Sequence, residues 1–354
     1  MKDKLKKCLD LCYELKDNKK SRKEIFTKYK DILSLFHYYC FLTKNKDLYQ
    51  ILKQYYFDSF KGTVTLTYGD VAESHVGMQK IGQMAEKGFQ LEDLQKAKKY
   101  FEEKGSNVQL IMLNDYLPKE EHDKADSAYL LVIRDGLKNL INDDKGQYLL
   151  TETQFFTWDA KLWNKRRKVV QNKNARHNLN FSDHKQTADF ENGKGTTIPW
   201  SDVPLITLVR KKLKDAFGDS AKDLKCEGNL YYDCKKTGIG YHGDTERRKV
   251  IGVRLGKEMT IHYMWYHNYK PVGVNISMKL NPGDIYCMSE KTVGTDWMKK
   301  KIYTLRHAAG ASMYTTNTPN IILSNPKIKG DITIYDIKLK KENKKEKEES
   351  EDEL

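Results

Sequence analysis

Proline, cysteine and long apolar stretches are all scarce in this sequence. The 354 residues include seven prolines, and no Pro-rich linker separates one part of the chain from another. The six cysteines form no Cys-x-x-Cys pair, which favours free thiols in a reducing compartment over a disulfide framework. No run approaches the ~20 apolar residues of a membrane span, and the basic start lacks the apolar core of a signal peptide. We therefore expect an intracellular protein, cytoplasmic or nuclear, without a membrane partner.

Negative charge is also in deficit. Lysine and arginine total 63 against 49 acidic residues, so the formal net charge is +14 and the isoelectric point is near 9.2. This excess favours a polyanionic partner, nucleic acid (DNA or RNA) first, because cationic side chains neutralise its phosphates. The alternative is a lysine-rich, solvated surface, since net charge bears on association and not on fold.

Within the first third of the chain, the predicted secondary structure changes at residue 61. In residues 1–60 apolar side chains recur three and four positions apart, which predicts a helical N-terminal region whose first helix buries Cys8 and Cys12. Residues 61–107 are predicted to form an α/β connecting segment of unknown role. Its β-branched start predicts a strand, and a capping-box-like sequence at Asp70 predicts a helix that runs to about Lys87.

The remainder is predicted to be one β-rich domain. Between residues 108 and 340 short strand-like runs alternate with loops, and few helices intervene, which favours an α+β fold over a parallel α/β fold. Residues 341–354 are almost all charged and are expected to be disordered.

A basic and aromatic stretch lies inside this domain. Its candidate substrate-binding residues are Trp163, Arg166, Arg167, Arg176 and Phe181. Positive charge interleaved with aromatic rings suits contacts to a nucleic-acid backbone combined with base stacking. The alternative is a solvated basic loop that its tryptophan anchors to the core.

A His-x-Asp pair, His242 and Asp244, precedes a strand-like run, and a second histidine, His307, follows downstream. Two histidines and one carboxylate form the facial triad of non-haem Fe(II) oxygenases, which leaves coordination positions open. The segment is rich in histidine, because His262 and His267 also lie there, so any single histidine could instead be a core residue. On the strand that carries His262 and Tyr263, one of these two side chains can face the pocket.

Further motifs surround the triad in a specific order. They are Asn229-x-Tyr231, His242-x-Asp244, an aromatic strand, Gly283-Asp284 on a turn, Asp296-Trp297 and His307. This ordered set resembles the AlkB-like members of the Fe(II)/2-oxoglutarate-dependent dioxygenases. The resemblance covers about residues 108 to 337, is best over 226 to 310, and leaves residues 1–107 unexplained.

The resemblance implies a fold and a reaction. The fold is a double-stranded β-helix (jelly roll) with flanking helices over residues 108–340. Iron is bound by His242, Asp244 and His307, and 2-oxoglutarate chelates it. Asn229 and Tyr231 hydrogen-bond this cosubstrate, which is decarboxylated to succinate. The implied reaction is oxidative demethylation of a nucleic-acid base that is flipped toward the metal.

One departure from the family pattern concerns the cosubstrate. The family has an arginine downstream of the distal histidine to pair with the cosubstrate carboxylate, whereas this chain has no arginine after Arg306. Our candidate replacement is Arg254, because it lies within an apolar strand and its guanidinium can bind a carboxylate in bidentate fashion. The alternatives are Lys257, Lys327, or an Arg254 that lies at a sheet edge with a surface partner.

Two other functions remain open from the sequence. The same chemistry could act on a protein or a small metabolite, with the lysines merely solvating the surface. A non-catalytic jelly-roll binding module attached to a helical adaptor is the third possibility.

Overall fold

The computed structural model describes residues 2–17, 21–57 and 60–340. The predicted tail, 341–354, lies outside the described residues. Ten α-helices lie within these ranges: α1 (Lys2–Asp17), α2 (Arg22–Lys28), α3 (Leu33–Thr43), α4 (Lys46–Phe57), α5 (Leu91–Glu102), α6 (Gly136–Ile141), α7 (Gln147–Thr153), α8 (Pro204–Phe217), α9 (Glu290–Val293) and α10 (Ser312–Thr315).

The same ranges contain eighteen strands. They are β1 (Thr63–Gly69), β2 (Val71–Glu73), β3 (Lys80–Gly82), β4 (Val108–Met112), β5 (Tyr129–Ile133), β6 (Lys161–Asn164), β7 (Val169–Asn172), β8 (His177–Ser182), β9 (Thr197–Pro199), β10 (Lys225–Tyr231), β11 (Gly238–His242), β12 (Val250–Gly256), β13 (Met259–His267), β14 (Lys270–Leu280), β15 (Ile285–Met288), β16 (Thr304–Gly310), β17 (Ile321–Lys329) and β18 (Ile332–Leu339).

Helices α1 to α4 form a small apolar core of their own. Ser21 begins α2 with a capping box, in which its hydroxyl accepts from the Glu24 amide and the Glu24 carboxylate accepts from the Ser21 amide. The core contains Cys8 and Cys40, and burial raises the pKa of the Cys8 thiol to about 11. These thiols are therefore apolar packing groups and not reactive ones.

The prediction of a helix that begins at Asp70 is wrong. The segment instead forms two short paired strands, β2 and β3. The Asp70 carboxylate accepts from the backbone amides of Ala85 at 2.7 Å and of Lys249 at 2.9 Å. The side chain that would have capped a helix thus fixes a loop against a distant strand, and a local pattern does not reveal that partner.

The larger sheet has eight strands in the order β4-β5-β15-β12-β1-β10-β8-β9, all antiparallel except the β8–β9 pair. Strand β1, from the segment of unknown role, lies between β12 and β10. Alternate residues such as Leu66 and Val253 enter an apolar core beneath helices α5 to α8. Because side chains alternate along a strand, Thr65 and Arg254 point to the opposite face, which is polar.

A six-stranded antiparallel sheet covers part of this opposite face. Its order is β11-β16-β13-β14-β18-β17. A second apolar core joins Tyr263 and Leu305 of the smaller sheet to Val132 and Tyr286 of the larger one. The protein is therefore a strand-rich α+β fold built on two large antiparallel sheets. None of the helices in the described ranges is long and apolar enough to cross a membrane.

Where the N-terminal helices meet the sheets, His37 is completely buried. Its Nε2 donates to the Tyr148 carbonyl at 2.7 Å, and its Nδ1 has no partner. Burial lowers the pKa of His37 to about 4. Between about pH 6.5 and pH 4 His37 is protonated in the unfolded chain but neutral in the folded chain. The free energy of unfolding therefore falls as the pH drops through this range.

The substitution His37→Gln keeps a donor for the Tyr148 carbonyl but cannot titrate. Between pH 7 and pH 4 the free energy of unfolding of the wild type should fall about 3 kcal/mol further than that of the variant. Urea unfolding of both proteins at each pH measures this difference. Parallel stability curves would show that the folded protein protonates His37 freely.

Candidate metal centre

Strand pairing brings the two predicted histidine ligands together. In the β11–β16 pair, His242 lies opposite His307, with a bulge after Ile239. The two ring centroids are 4.4 Å apart. On the other side of β16, Tyr263 lies opposite His307. Of the two side chains considered for this face, Tyr263 is therefore the inward one, whereas His262 bonds Asn275.

Asp244 reaches the same point from a tight turn. Its amide donates to the Val293 carbonyl at 3.0 Å. The preceding Gly243 touches the backbone at Gly294, where an added Cβ would lie 2.0 Å from the Gly294 oxygen. Only glycine permits this approach. The turn therefore directs the Asp244 carboxylate back toward the histidines.

The three side chains converge on one space. Asp244 Oδ1 lies 3.4 Å from His242 Nε2 and 3.7 Å from His307 Nε2. One ligand atom from each residue falls within 4.8 Å of the other two, and within the described residues no other group of this kind occurs. This spacing allows all three atoms to bind one ion.

Two of these groups are held in the protonation state that a metal requires. His242 Nδ1 donates to the Gly240 carbonyl at 2.8 Å, and its Nε2 faces Asp244. Burial, reinforced by His242, lowers the pKa of His307 to about 3, so this imidazole is neutral. Burial alone would raise the pKa of Asp244, but Arg247 and the histidines hold it well below its usual range.

Arg247 is the cation behind this site, and it was missed from the sequence. Its Nη2 donates to Glu227 at 2.5 Å and to Glu246 at 2.8 Å, and its Nε lies 3.6 Å from Asp244 Oδ2. Three carboxylates against one guanidinium leave a formal charge of −2 in a nearly solvent-free cluster. A divalent cation would balance that charge. In the sequence, the signal for Arg247 was its position three residues after Asp244.

Arg254 lies on the polar face of the larger sheet and is 1% exposed. Its Nη1 donates to Thr65 Oγ1 at 2.6 Å, while its Nε is buried without a partner. No carboxylate of the described residues forms an ion pair with it. The alternative of a sheet-edge arginine with a surface partner is therefore wrong, because β12 is an inner strand. Lys257 and Lys327 are both exposed.

Three tyrosines lie within electrostatic reach of both Arg254 and the triad. Tyr231, Tyr263 and Tyr286 each interact electrostatically with both Arg254 and Asp244. The Tyr286 ring lies directly over Gly252, where a Cβ would be 2.1 Å from it. The Tyr263 hydroxyl is buried without a partner. Burial raises the pKa of all three phenols, so they are hydrogen-bond donors at neutral pH.

Asn229 shares this face with Tyr231, two residues along β10. Its Oδ1 accepts from Arg176 Nε at 2.6 Å and from Asn178 Nδ2 at 2.7 Å. Arg176 also lowers the pKa of His307, so it lies within electrostatic reach of the triad. Tyr231 and Arg176 therefore lie within electrostatic reach of the triad, and Asn229 is bonded to Arg176.

The other predicted substrate residues have different fates. Trp163 is half-buried on β6, and Arg166 and Arg167 are exposed on the turn to β7. Phe181 is wrong as a stacking residue, because it is fully buried in the core beneath the larger sheet. It has the opposite strand parity to Asn178 on β8, so it faces away from the site.

Two motifs of the ordered set have structural partners outside the site. Asp284 accepts from Arg134 at 2.5 Å and from the Asn281 amide at 2.9 Å, which closes the turn before β15. Asp296 accepts from Lys291 at 2.7 Å. Neither carboxylate joins the His-Asp-His cluster.

The fold and the site define a strand-rich α+β protein with a candidate His-Asp-His metal centre. Over 254 residues the chain is 43% identical to "Uncharacterized protein R156" of Acanthamoeba polyphaga mimivirus, a match that covers 72% of this chain and 98% of that protein. The chain belongs to the same family as the mimivirus protein. No protein-family profile matches it, and no solved structure does.

Two neighbouring carboxylates provide a matched test of the metal centre. Asp244→Asn and Glu246→Gln each remove one negative charge from the same cluster, but only Asp244 offers an oxygen to the ion. We expect Asp244→Asn to weaken Mn(II) binding by at least roughly 100-fold and Glu246→Gln by less than about tenfold. Anaerobic calorimetry measures both. Equal weakening would mean that the cluster attracts cations without ligating one.

Proposed function

We propose that this protein is an Fe(II)- and 2-oxoglutarate-dependent dioxygenase of AlkB-like type that oxidatively demethylates a nucleic-acid base. The observation that carries the proposal is a buried arginine that forms no ion pair with a carboxylate of the described residues, on the polar face of the larger sheet that the histidine-bearing sheet partly covers. We further propose that the two large antiparallel sheets are the halves of a double-stranded β-helix, with the catalytic domain at residues 108–340 and β1 completing its larger sheet.

The donor set fits iron. Two neutral imidazoles and one carboxylate on one side of an ion are the facial arrangement of non-haem Fe(II) sites, and they leave the other side open. The formal charge of −2 in the cluster around Arg247 favours a divalent cation there. A purely hydrolytic metal site would not account for Arg254, whose guanidinium lacks an anionic partner within the described residues.

The buried guanidinium of Arg254 also suits a dicarboxylate. A buried charge without a partner is costly, so Arg254 is best explained by an anionic ligand that pairs with it. Its unpartnered Nε and the Tyr263 hydroxyl supply two of the donors that such a ligand needs. When bound, iron and 2-oxoglutarate supply oxidation coupled to succinate formation. The chain holds the metal through the triad, orients the distal carboxylate with Arg254, and excludes water with the three tyrosines.

A nucleic-acid substrate is supported by the charges around the opening. The chain carries a net charge of +14. Arg176 lies beside the triad and pairs with no carboxylate of the described residues, and the turn at 165–168 exposes four further cations. Phosphates would pair with Arg176. The rival substrates, a protein or a small metabolite, explain an arginine without a carboxylate partner less directly.

Replacing Arg254 by methionine separates a ligand-binding arginine from a structural one. We expect Arg254→Met to raise the KM for 2-oxoglutarate at least roughly 100-fold, since a charge-assisted bidentate contact is lost. Mn(II) affinity should stay within a few-fold. The free energy of unfolding should be unchanged or higher, within about 2 kcal/mol, because an uncompensated buried charge is removed.

Arg254→Lys is the conservative companion and should restore part of the affinity. Turnover assays, calorimetry and urea unfolding give the three readouts. A large loss of stability in Arg254→Met, with the KM for 2-oxoglutarate unchanged, would assign Arg254 to the fold and remove the cosubstrate argument.

The substrate class is tested by succinate release. An alkylated single-stranded oligonucleotide should stimulate turnover severalfold over the unmodified strand, and a lysine-rich peptide should not. Asp244→Asn serves as the inactive control. Stimulation by the peptide or by a small metabolite alone would keep the chemistry and replace the substrate.

A further inference from the structure

A second surface, not used above, lies at the start of β16. It consists of residues 267–270 at the β13–β14 turn and residues 298–303 before β16, and we call it the basic–aromatic face. Two hydrogen bonds tie its loops together. The Asn268 amide donates to the Lys300 carbonyl at 3.0 Å, and the Tyr269 hydroxyl donates to the Met298 carbonyl at 2.8 Å. The face is therefore a fixed surface built from two loops.

Aromatic rings make up much of this face. Tyr269 is 51% exposed. The rings of His267 and Tyr303 stack with centroids 4.5 Å apart and an angle of 10°. The Arg306 guanidinium lies 3.9 Å from the Tyr266 ring and 4.9 Å from the Trp297 ring, and strand alternation places it on the other side of the sheet from His267 and Tyr303. The face thus presents one exposed ring, Tyr269, and a half-buried stacked pair.

The charge of the face is entirely positive. Residues 267–270 and 298–303 contain Lys270, Lys299, Lys300 and Lys301 and no acidic residue. None of these cations forms an ion pair with a carboxylate of the described residues. The nearby Asp296 is already occupied by Lys291. The face therefore carries several uncompensated charges in a small area.

The face also leads to the metal centre. Strand β16 runs from Thr304 at the face to His307 in the triad, which is three residues or about 10 Å. Trp297 lies against Gly243, next to Asp244, since a Cβ on Gly243 would be 2.9 Å from the Trp297 Cβ. A polymer held on the face would thus continue toward the open side of the triad.

We infer that the basic–aromatic face binds single-stranded nucleic acid, with its lysines on phosphates and its rings stacked on bases. This inference rests on the nucleic-acid part of the proposed function and names the surface that presents the strand. Rings stacked with parallel faces suit base stacking, which is sequence-tolerant because every base has a flat face. A lipid surface would be met by aliphatic side chains, of which the face exposes only Met298 and Ile302.

The charge contribution is tested with two triple variants of equal charge. Lys299→Glu/Lys300→Glu/Lys301→Glu changes the face, whereas Lys327→Glu/Lys329→Glu/Lys338→Glu changes exposed lysines of β17 and β18. Fluorescence anisotropy with a labelled 12-nucleotide single strand, unmodified, gives the affinity at several salt concentrations. The face variant should bind at least roughly 30-fold more weakly, with a salt slope reduced by about 2. The control should stay within about threefold of the wild type.

The stacking contribution is tested at Tyr269. Tyr269→Ala should weaken binding roughly tenfold without changing the salt slope, because a ring and no charge is lost. Tyr269→Phe keeps the ring but loses the bond to Met298, and it should bind like the wild type. If phenylalanine is as harmful as alanine, the loop geometry and not stacking is responsible, and the stacking part of the inference is overturned.

Failure of this inference is distinguishable from failure of the proposed function. The face variant should retain Mn(II) affinity and substrate-free 2-oxoglutarate turnover, and His242→Ala should retain oligonucleotide binding. Equal oligonucleotide affinities of the face and control variants would overturn the inference and leave the metal chemistry standing. The inference would also be overturned if the wild type sedimented with phosphatidylserine vesicles but did not bind oligonucleotides.

Discussion

One guanidinium, that of Arg247, determines where the candidate metal ligands lie. It comes from the loop between β11 and β12, it bonds Glu227 on β10 of the larger sheet, and it faces Asp244 beside the smaller sheet. The arrangement joins the two sheets at the point where their polar faces meet. Without this cation three buried carboxylates would repel one another at the point where the Asp244 turn meets the larger sheet.

The larger sheet explains how such a buried polar face is tolerated. Its other face is covered by helices and holds the main apolar core. That face stabilises the sheet, so the inner face is free to carry Thr65, Asn229 and Arg254 at adjacent register positions. The three tyrosines then interact electrostatically with both Arg254 and Asp244. The stabilising apolar core and the candidate site thus lie on opposite faces of the same strands.

The parts of the site that follow from local spacing could be predicted from the sequence. The two side chains of the Asn-x-Tyr pair face the same way because side chains alternate along a strand, and the short spacing of His242 and Asp244 lets a turn bring them together. The parts that depend on distant pairing could not. Phe181 differs from Asn178 by strand parity alone, and a shift of one residue moves a side chain to the other face. The prediction of a helix after Asp70 was wrong because the Asp70 carboxylate accepts from the Lys249 amide, just before β12 and far along the chain.

Strand β1 has a further consequence, for the order of events during synthesis. Its Thr65 contacts Arg254, which lies 189 residues later in the chain. Both neighbours of β1, β10 and β12, are therefore made long after it leaves the ribosome. Until then β1 has two unpaired edges, and the sheet lacks its centre. Slow, non-local closure of this kind exposes a nascent chain to misassembly. The adjacent helices α1 to α4, which can form from local contacts, are the first structure available near it.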